Sequence, residues 1–261
     1  MRKSVLKLLT RMTLDKLARV GIFTIDDAVK VTGLKKSKIK HLLPWLEKMG
    51  WIERIEKGKY IVIPLGVEKG KITINEFVLA SMLVKPSAIA YWSALNYHGL
   101  TEQISNTVFI QTTSRKKKQE LEILGIKYKI IRINKRKFFG IEKIWIDSSF
   151  GLTFQVNITD KEKTIIDCLD KPKHCGGIIE VAKALNYGNL NMERLARYAV
   201  KIRNSGVIRR LGYLCDYLGL EIDLPEIKAR NYLLLDPTMP KVGKINSKWR
   251  LIINVDIGEL E

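Results

Sequence analysis

The order of secondary-structure signals in the first 65 residues constrains the fold more than any other feature of the sequence. The opening stretch, MRKSVLKLLTRMTLDKLARV, has apolar residues at a loose helical period and predicts an amphipathic first helix. Thr24 then caps a short second helix, whose first turn carries Asp26 and Asp27 where acids favour the helix dipole. Gly33 ends this helix.

A third helix and a hairpin follow directly. The segment LKKSKIKHLLPWLEKMG is helical in pattern and closes at Gly50, and Pro44 within it removes one backbone amide, which predicts a kink. Two β-type runs, WIERI and KYIVI, flank a turn that contains Gly58. Three helices and a hairpin in this order predict a winged helix-turn-helix.

The rest of the chain predicts a second, mixed domain. Two helices, INEFVLASML and SAIAYWSALNYHGL, come first, the second opening at Pro86 and Ser87. Thr159 and Glu162 have capping-box spacing before a helix, and Ser205 is a candidate cap for a later one. The predicted strands are TVFIQTT, IKYKIIRI, IEKIWID, LTFQVNI and a final KWRLIINVD, and the later helices are ITDKEKTIIDCLD, IIEVAKAL, MERLARYAVKI and VIRRLGYLCDYLGL.

The predicted fold class is therefore α+β, with an N-terminal winged helix-turn-helix followed by a mixed α/β C-terminal domain. The first domain covers residues 1–68 and the second covers residues 69–261, with a boundary that rests on Pro64, Gly66 and Gly70.

The third helix has an apolar face and a basic face. Apolar residues at helical spacing predict a buried stripe made of Ile39, Leu42, Leu43, Leu46 and Met49. In helix-turn-helix proteins the start of such a helix enters the major groove, and a wing touches phosphates beside it. The predicted DNA contacts are the polar and basic residues of the opposite face, the first turn and the hairpin: Lys35, Lys36, Ser37, Lys40, His41, Lys48, Arg54, Lys57 and Lys59.

The charge and the cysteine content limit the classes of partner and the cell compartment that we expect. Lysine and arginine outnumber acids by 46 to 27, a formal charge of +19 that attracts DNA, RNA or an anionic membrane. No apolar run approaches the ~20 residues that cross a bilayer, so we expect no membrane partner. The three cysteines do not form a secreted disulfide framework, which favours the cytoplasm.

Several clusters are candidates for catalytic, metal or binding sites. Cys168, His174 and Cys175 lack the paired spacing of a zinc site, and the acids Asp160, Glu162 and Asp167 suit a helix terminus better than a nuclease centre. We expect no catalytic residues, metal or cofactor. Aromatic residues at helical spacing favour a core position for Tyr91, Trp92, Tyr97 and His98. Two interpretations stay open for the remaining basic groups, a binding surface or plain solvated side chains. These groups are the cluster of Arg203, Arg209 and Arg210 and the stretches Arg115–Lys118 and Lys135–Lys137.

Five segments together resemble the AbiEi-type antitoxins of abortive-infection (type IV) toxin–antitoxin systems, a family of transcriptional regulators. They cover most of the chain and run in the family's order: WLEKMGWIERIEKGKYIVIP, KPSAIAYWSALNYHGLTEQISNTVFIQTT, ITDKEKTIIDCLDKPKHCGGIIEVAKAL, GVIRRLGYLCDYLGL and YLLLDPTMPKVGKINSKWRLIINVD.

The resemblance implies a repressor with two functions. Its N-terminal domain would bind inverted repeats of double-stranded DNA in its own promoter and autoregulate the operon, and its C-terminal domain would counteract a nucleotidyltransferase-type toxin without requiring direct contact. A homodimer on the DNA is left open. Two alternatives remain: a nucleic-acid-processing enzyme with a basic substrate-guiding C-terminal region, and an interaction module whose winged helix does not bind DNA.

Overall fold

The computed structural model describes residues 11–64, 74–148 and 151–258, and it has a mixed α+β architecture in which helices accompany three sheets. Two compact units are distinguished: the first comprises Met1–Leu83 with Ile123–Gly125 and Trp145–Gln155, and the second comprises the remainder. The predicted boundary between residues 68 and 69 lies outside the described residues, as do residues 1–10 of the predicted first helix.

The N-terminal stretch of the first unit, up to residue 83, has four helices and three strands among its described residues. Its helices and strands are α1 (described over 11–18), β1 (Ile22–Thr24), α2 (Ile25–Thr32), α3 (Lys36–Lys48), β2 (Ile52–Glu56), β3 (Lys59–Val62) and α4 (Glu76–Leu83). Strand β3 lies in the centre of the small antiparallel sheet, between β1 and β2.

Local sequence explains where these elements begin and end. The Thr24 hydroxyl accepts a hydrogen bond from the Asp27 amide, and the Asp27 carboxylate accepts one from the Thr24 amide, so α2 opens with a full capping box. Gly33 ends α2 with a φ of 74°, a left-handed conformation that glycine adopts without strain. Gly58, with a φ of 77°, turns the β2–β3 hairpin. These predictions are confirmed.

The core of the first unit joins the helices to the small sheet. Leu17, Phe23 and Ile52 pack together with the buried face of α3, and the rings of Phe23 and Tyr60 stack with centroids 5.8 Å apart. Burying side chains of this size stabilises by roughly 1.5–3 kcal/mol each. This core fixes which face of α3 points outward.

A six-stranded mixed sheet is the centre of the remaining chain. Its strand order is β6-β7-β5-β4-β9-β8. The strands are β4 (Ser87–Ile89), β5 (Thr107–Thr112), β6 (Glu120–Ile123), β7 (Ile126–Arg132), β8 (Ile141–Asp147) and β9 (Thr153–Thr159). The predictions for β5, β7, β8 and β9 are confirmed, whereas β6 was not predicted.

The prediction of a helix that opens at Pro86 and Ser87 is wrong for the first half of that segment. Ser87–Ile89 form strand β4, which pairs antiparallel with β5 and parallel with β9, and only Trp92–Tyr97 form a helix, α5. A central strand is buried on both faces, so a short apolar run such as this one has no alternation that separates it from a buried helix.

Helices pack into the second unit's largest core. They are α6 (Lys161–Asp170), α7 (Ile178–Tyr187), α8 (Met192–Lys201) and α9 (Ser205–Leu218), and short 3-10 turns cover Lys135–Lys137 and Pro172–His174. Eight successive residues of α6, from Glu162 to Leu169, are buried. The predicted positions of these four helices are confirmed.

The predicted helix caps are corrected by one residue. Asp160, not Thr159, caps α6 by accepting a hydrogen bond from the Lys163 amide, because Thr159 still belongs to strand β9. Asn204, not Ser205, caps α9 by accepting from the Gly206 amide. Asp and Asn rank with Ser as N-caps, so the sequence pattern alone does not separate neighbouring candidates.

The end of the chain forms a small three-stranded sheet. Strands β10 (Leu233–Leu234) and β11 (Lys244–Asn246) flank β12 (Leu251–Ile253), the strand predicted for this segment. Trp249 and Leu251 of this region are buried against the helical core.

Candidate nucleic-acid interface

One face of α3 anchors the helix in the first unit. Ile39, Leu43 and Leu46 are buried and Leu42 is half-buried, as predicted. Met49 was predicted on this face but remains 49% exposed. Ten residues at about 100° each place Met49 roughly 80° away from Ile39, on the flank of the buried stripe.

The opposite face of α3 is polar, basic and open to solvent. Ser37, Lys40, His41, Pro44 and Lys48 are all exposed, as their spacing predicted. The helix runs uninterrupted through Pro44, which is exposed on this face. The predicted kink at Pro44 stays a prediction. The helix that carries this polar face is 13 residues long.

The N-terminal turn of α3 carries cations where helices usually carry acids. Lys35 occupies the cap position without a side-chain hydrogen bond, and the first turn holds no acidic residue. Lys35, Lys36 and Lys38 are exposed there, and only Lys36 has an ion-pair partner shown, Asp26 at 2.7 Å. Helix α2, by contrast, opens with a capping box and two acids.

The hairpin contributes two open cations and one anchored cation. Arg54 and Lys57 are exposed. Lys59 is half-buried: its ammonium lies 2.9 Å from a Glu56 carboxylate oxygen and donates to the Leu83 carbonyl at 2.7 Å. The Lys59 ammonium therefore already has internal partners, unlike those predicted contacts that point into solvent.

Sequence reasoning missed Lys38. Its position in the first turn, beside the predicted contacts, was the available signal, but helical arithmetic places it off the centre of the basic face. Further along this flank the indole of Trp45 is 43% exposed and meets Trp51 edge to face, with centroids 5.4 Å apart. The exposed surface of α3 thus combines cations with an aromatic flank.

Asp160, Glu162 and Asp167, the acids compared above with a nuclease centre, all have structural partners. Asp160 caps α6 and accepts from the Tyr198 hydroxyl at 2.9 Å. Glu162 is buried and accepts from the Asn191 amide at 2.9 Å. Asp167 pairs with Lys163 inside the protein, and burial raises the pKa of the Asp167 carboxyl.

The cysteines and His174 are packing groups in this fold. Cys168 and Cys175 are buried, and the Cys175 thiol lies 3.2 Å from the Pro172 carbonyl oxygen. His174 packs against the rings of Tyr91 and Phe109. Across the described ranges, no group of three or more His, Cys, Asp or Glu side chains is arranged to hold a metal ion.

Two arginines of the cluster near α9 are buried, so the interpretation as a plain solvated face is wrong for them. Arg209 is 1% exposed and donates to Asn231, and Arg210 is 7% exposed and donates to the carbonyls of Leu234, Leu235 and Leu169. These contacts join α9 to β10, to the residues on either side of β10 and to the end of α6. Arg203 alone remains exposed.

The aromatic group and the two basic stretches each contain both buried or half-buried and exposed residues. Tyr91 is fully buried, as predicted, but Tyr97 is 46% exposed. Lys137, within the Lys135–Lys137 turn, is half-buried and bonds both carboxylate oxygens of Asp170, at 2.7 and 2.8 Å, so it is not a solvated loop tip. Most of Arg115–Lys118 is exposed.

Comparison of the chain with protein-family models and with curated proteins finds no match. Among the described residues, every helix is too short or too polar to traverse a lipid bilayer.

Proposed function

We propose that this chain is a DNA-binding transcriptional repressor whose first unit acts as a winged helix-turn-helix. In the proposal α3 is the recognition helix and the β2–β3 hairpin is the wing. One observation carries it: the exposed face of α3 is basic, and three lysines occupy the cap position and the first turn, where no side chain caps the helix. The major groove of B-DNA is about 12 Å wide and admits such a helix.

The lysines at the start of α3 destabilise their own helix. The N-terminus of a helix carries about half a positive charge, so each nearby cation costs roughly 0.3–1 kcal/mol. Helix α2 of the same unit has the favourable arrangement, with Asp26 and Asp27 in its first turn. A positive helix end surrounded by lysines attracts anions, and the phosphates of DNA are such anions.

The proposed contacts divide into two groups by position. Ser37, Lys40 and His41 lie on the exposed face near the start of α3, where a docked helix meets base edges. The remaining proposed contacts serve the phosphates or the groove edge: Lys35, Lys36, Lys38, Lys48, Arg54 and Lys57. Lys59 takes a supporting role, because its bonds to Glu56 and to the Leu83 carbonyl hold the hairpin.

The finer proposal is autoregulation in the cytoplasm. The repressor binds inverted repeats upstream of its own gene and lowers transcription of its operon. The second unit acts as an antitoxin against a nucleotidyltransferase-type toxin. Support for the antitoxin role is the ordered resemblance of five segments of this sequence to AbiEi-type antitoxins. No observation on the described residues favours the alternative of a nucleic-acid-processing enzyme.

A pair of substitutions separates base readout from phosphate contact. Fluorescence anisotropy of full-length protein with a panel of upstream-sequence variants is the measurement. Lys40→Ala should flatten the differences between sequences, by about 1–3 kcal/mol at one position. Lys57→Ala should weaken all sequences alike and reduce the salt slope by about one unit.

Lys143→Ala, an exposed lysine of β8, is the matched control and should leave affinity unchanged. Identical behaviour of Lys40→Ala and Lys57→Ala across the panel would contradict the assignment of α3 and the hairpin.

The antitoxin role is tested separately in cells. Co-expression of a nucleotidyltransferase-like protein encoded beside this gene should arrest growth, and the full-length chain should restore it. The variant Lys38→Glu with Lys40→Glu should still restore growth while failing to repress a promoter reporter. Loss of both activities in a folded double variant would contradict the division of labour.

A further inference from the structure

A concave pocket of about 500 Å³ lies in the second unit. Strand β7 forms one wall through Lys129 and Arg132, and the segment that follows α6 supplies Lys171, at the end of that helix, and Lys173, in the 3-10 turn. Gln119 and Glu120, at the start of β6, complete the rim. Pockets of about 300–1,000 Å³ accommodate small molecules and cofactors.

The charge of this cationic pocket is one-sided. Among the described residues that line it, four side chains are cationic and one is a carboxylate, that of Glu120, which lies 2.9 Å from the Lys129 ammonium. Lys171 is half-buried, and burial lowers the pKa of its ammonium, with Lys137 and Lys173 adding to the effect and Asp170 opposing it. Holding these cations together is unfavourable unless an anion offsets them.

His174 forms a polar and rigid part of the lining. The residue is 6% exposed, and its imidazole packs edge to face against Tyr91, with centroids 5.3 Å apart. Its Nδ1 atom is buried without a hydrogen-bond partner within the described chain. Buried polar groups usually have a partner, and in the tautomer with the proton on Nδ1 the partner that this nitrogen lacks is an acceptor such as an oxygen.

We propose that the cationic pocket binds a small molecule carrying a diphosphate or triphosphate group, as nucleotides do. Each phosphate offers several acceptor oxygens, and Arg132 and the three lysines supply the charge-assisted donors that phosphates select. The lining of this site shares no residue with the proposed DNA-binding surface.

The shape of the site favours a small ligand over a nucleic-acid strand. Proteins that follow a phosphodiester backbone spread cations along a groove. Here the cations of β7 and of the later turn, some 40 residues apart in the chain, converge on one cavity. A compact polyphosphate brings several negative charges into that volume, whereas each phosphodiester linkage brings one.

Isothermal titration calorimetry on the full-length protein without DNA tests the proposal. The titrants are inorganic triphosphate, adenosine triphosphate, orthophosphate and a single-stranded RNA oligonucleotide. Triphosphate and adenosine triphosphate should bind at micromolar concentration and raise the melting temperature, and orthophosphate should bind at least tenfold more weakly. Comparable affinity for the two polyphosphates would locate recognition in the phosphates, and tighter binding of adenosine triphosphate would add a contact to the nucleoside.

The double variant Lys171→Ala with Lys173→Ala should weaken polyphosphate binding at least tenfold. Lys135→Ala with Lys143→Ala removes the same charge elsewhere and should leave the affinity within twofold. Because Lys173 is exposed, Lys173→Ala alone keeps the test valid if the double variant is unstable. Absence of polyphosphate binding up to 1 mM, binding of RNA alone, or equal effects of the two double variants would each overturn the proposal.

Discussion

Replacing Lys38 by glutamate should stabilise the protein and weaken its binding to DNA at the same time. Lys38 is exposed in the first turn of α3, which has no acid and no side-chain cap. A cation there opposes the helix dipole by roughly 0.3–1 kcal/mol, and an anion gains a similar amount. The exchange should therefore raise the free energy of unfolding by about 0.6–2 kcal/mol.

The two consequences are measured on the same samples. Each kcal/mol corresponds to roughly 2–4 °C for a chain of this size, so scanning calorimetry should show a small upward shift in melting temperature. Anisotropy with upstream DNA should show at least tenfold weaker binding and a salt slope shallower by about one unit, because a phosphate contact is lost and a repulsion is added. Lys38→Gln should fall between the wild type and Lys38→Glu in both measurements.

Lys143→Glu is the control, since it makes the same charge change on β8 of the second unit's sheet. It should alter stability by less than about 0.5 kcal/mol and leave DNA affinity close to that of the wild type. If Lys38→Glu destabilises the protein, the account of the uncapped helix end is wrong. If it stabilises the protein without weakening DNA binding, the first turn of α3 does not face DNA.

Three further predictions concern groups inside the fold. Arg210→Met should lower the free energy of unfolding in urea by about 3 kcal/mol or more, because three backbone carbonyls lose a buried donor. Arg203→Met on the surface should lower it by less than about 0.5 kcal/mol. Equal losses for the two variants would contradict the bonding shown for Arg210. Lys59→Met should lower stability by about 1 kcal/mol, and a neutral effect would show that the bond to the Leu83 carbonyl contributes nothing. Burial, aided by Lys173, Lys129 and Lys171, lowers the pKa of His174 from 6.5 to about 4, so the unfolded chain takes up a proton first as the pH falls. Stability from this group is complete above about pH 6.5 and should fall by about 2 kcal/mol by about pH 5, a loss that His174→Gln should remove from the pH profile.

Local signals predicted much of the fold. Thr24, Gly33 and Gly58 act within a few residues of themselves, so their caps and turns were readable from sequence. Strands β5, β7 and β9 and helices α7 to α9 had clear periodicity. Strand β4 was misread because it is short, apolar and buried on both faces, and only its pairing with β5 and β9 distinguishes it from a helix.

Long-range contacts account for what the sequence did not predict. The basic face of α3 follows from spacing within one helix, and its exposure was predicted correctly. Tertiary packing brings the Lys59 ammonium to the Leu83 carbonyl, and it brings the Arg210 guanidinium to carbonyls 24 to 41 residues away in the chain. The cationic pocket was invisible for the same reason, since β7 and the turn after α6 meet only in the folded chain.

The affinity of the full-length protein for the DNA upstream of its gene, compared with a scrambled duplex of the same composition, tests the central claim most directly. At physiological salt the upstream duplex should bind at least a hundredfold more tightly, and the logarithm of its binding constant should fall with the logarithm of salt at a slope of about −4 to −5 if roughly four to six phosphates are neutralised. Equal affinity for the two duplexes would contradict a sequence-specific repressor.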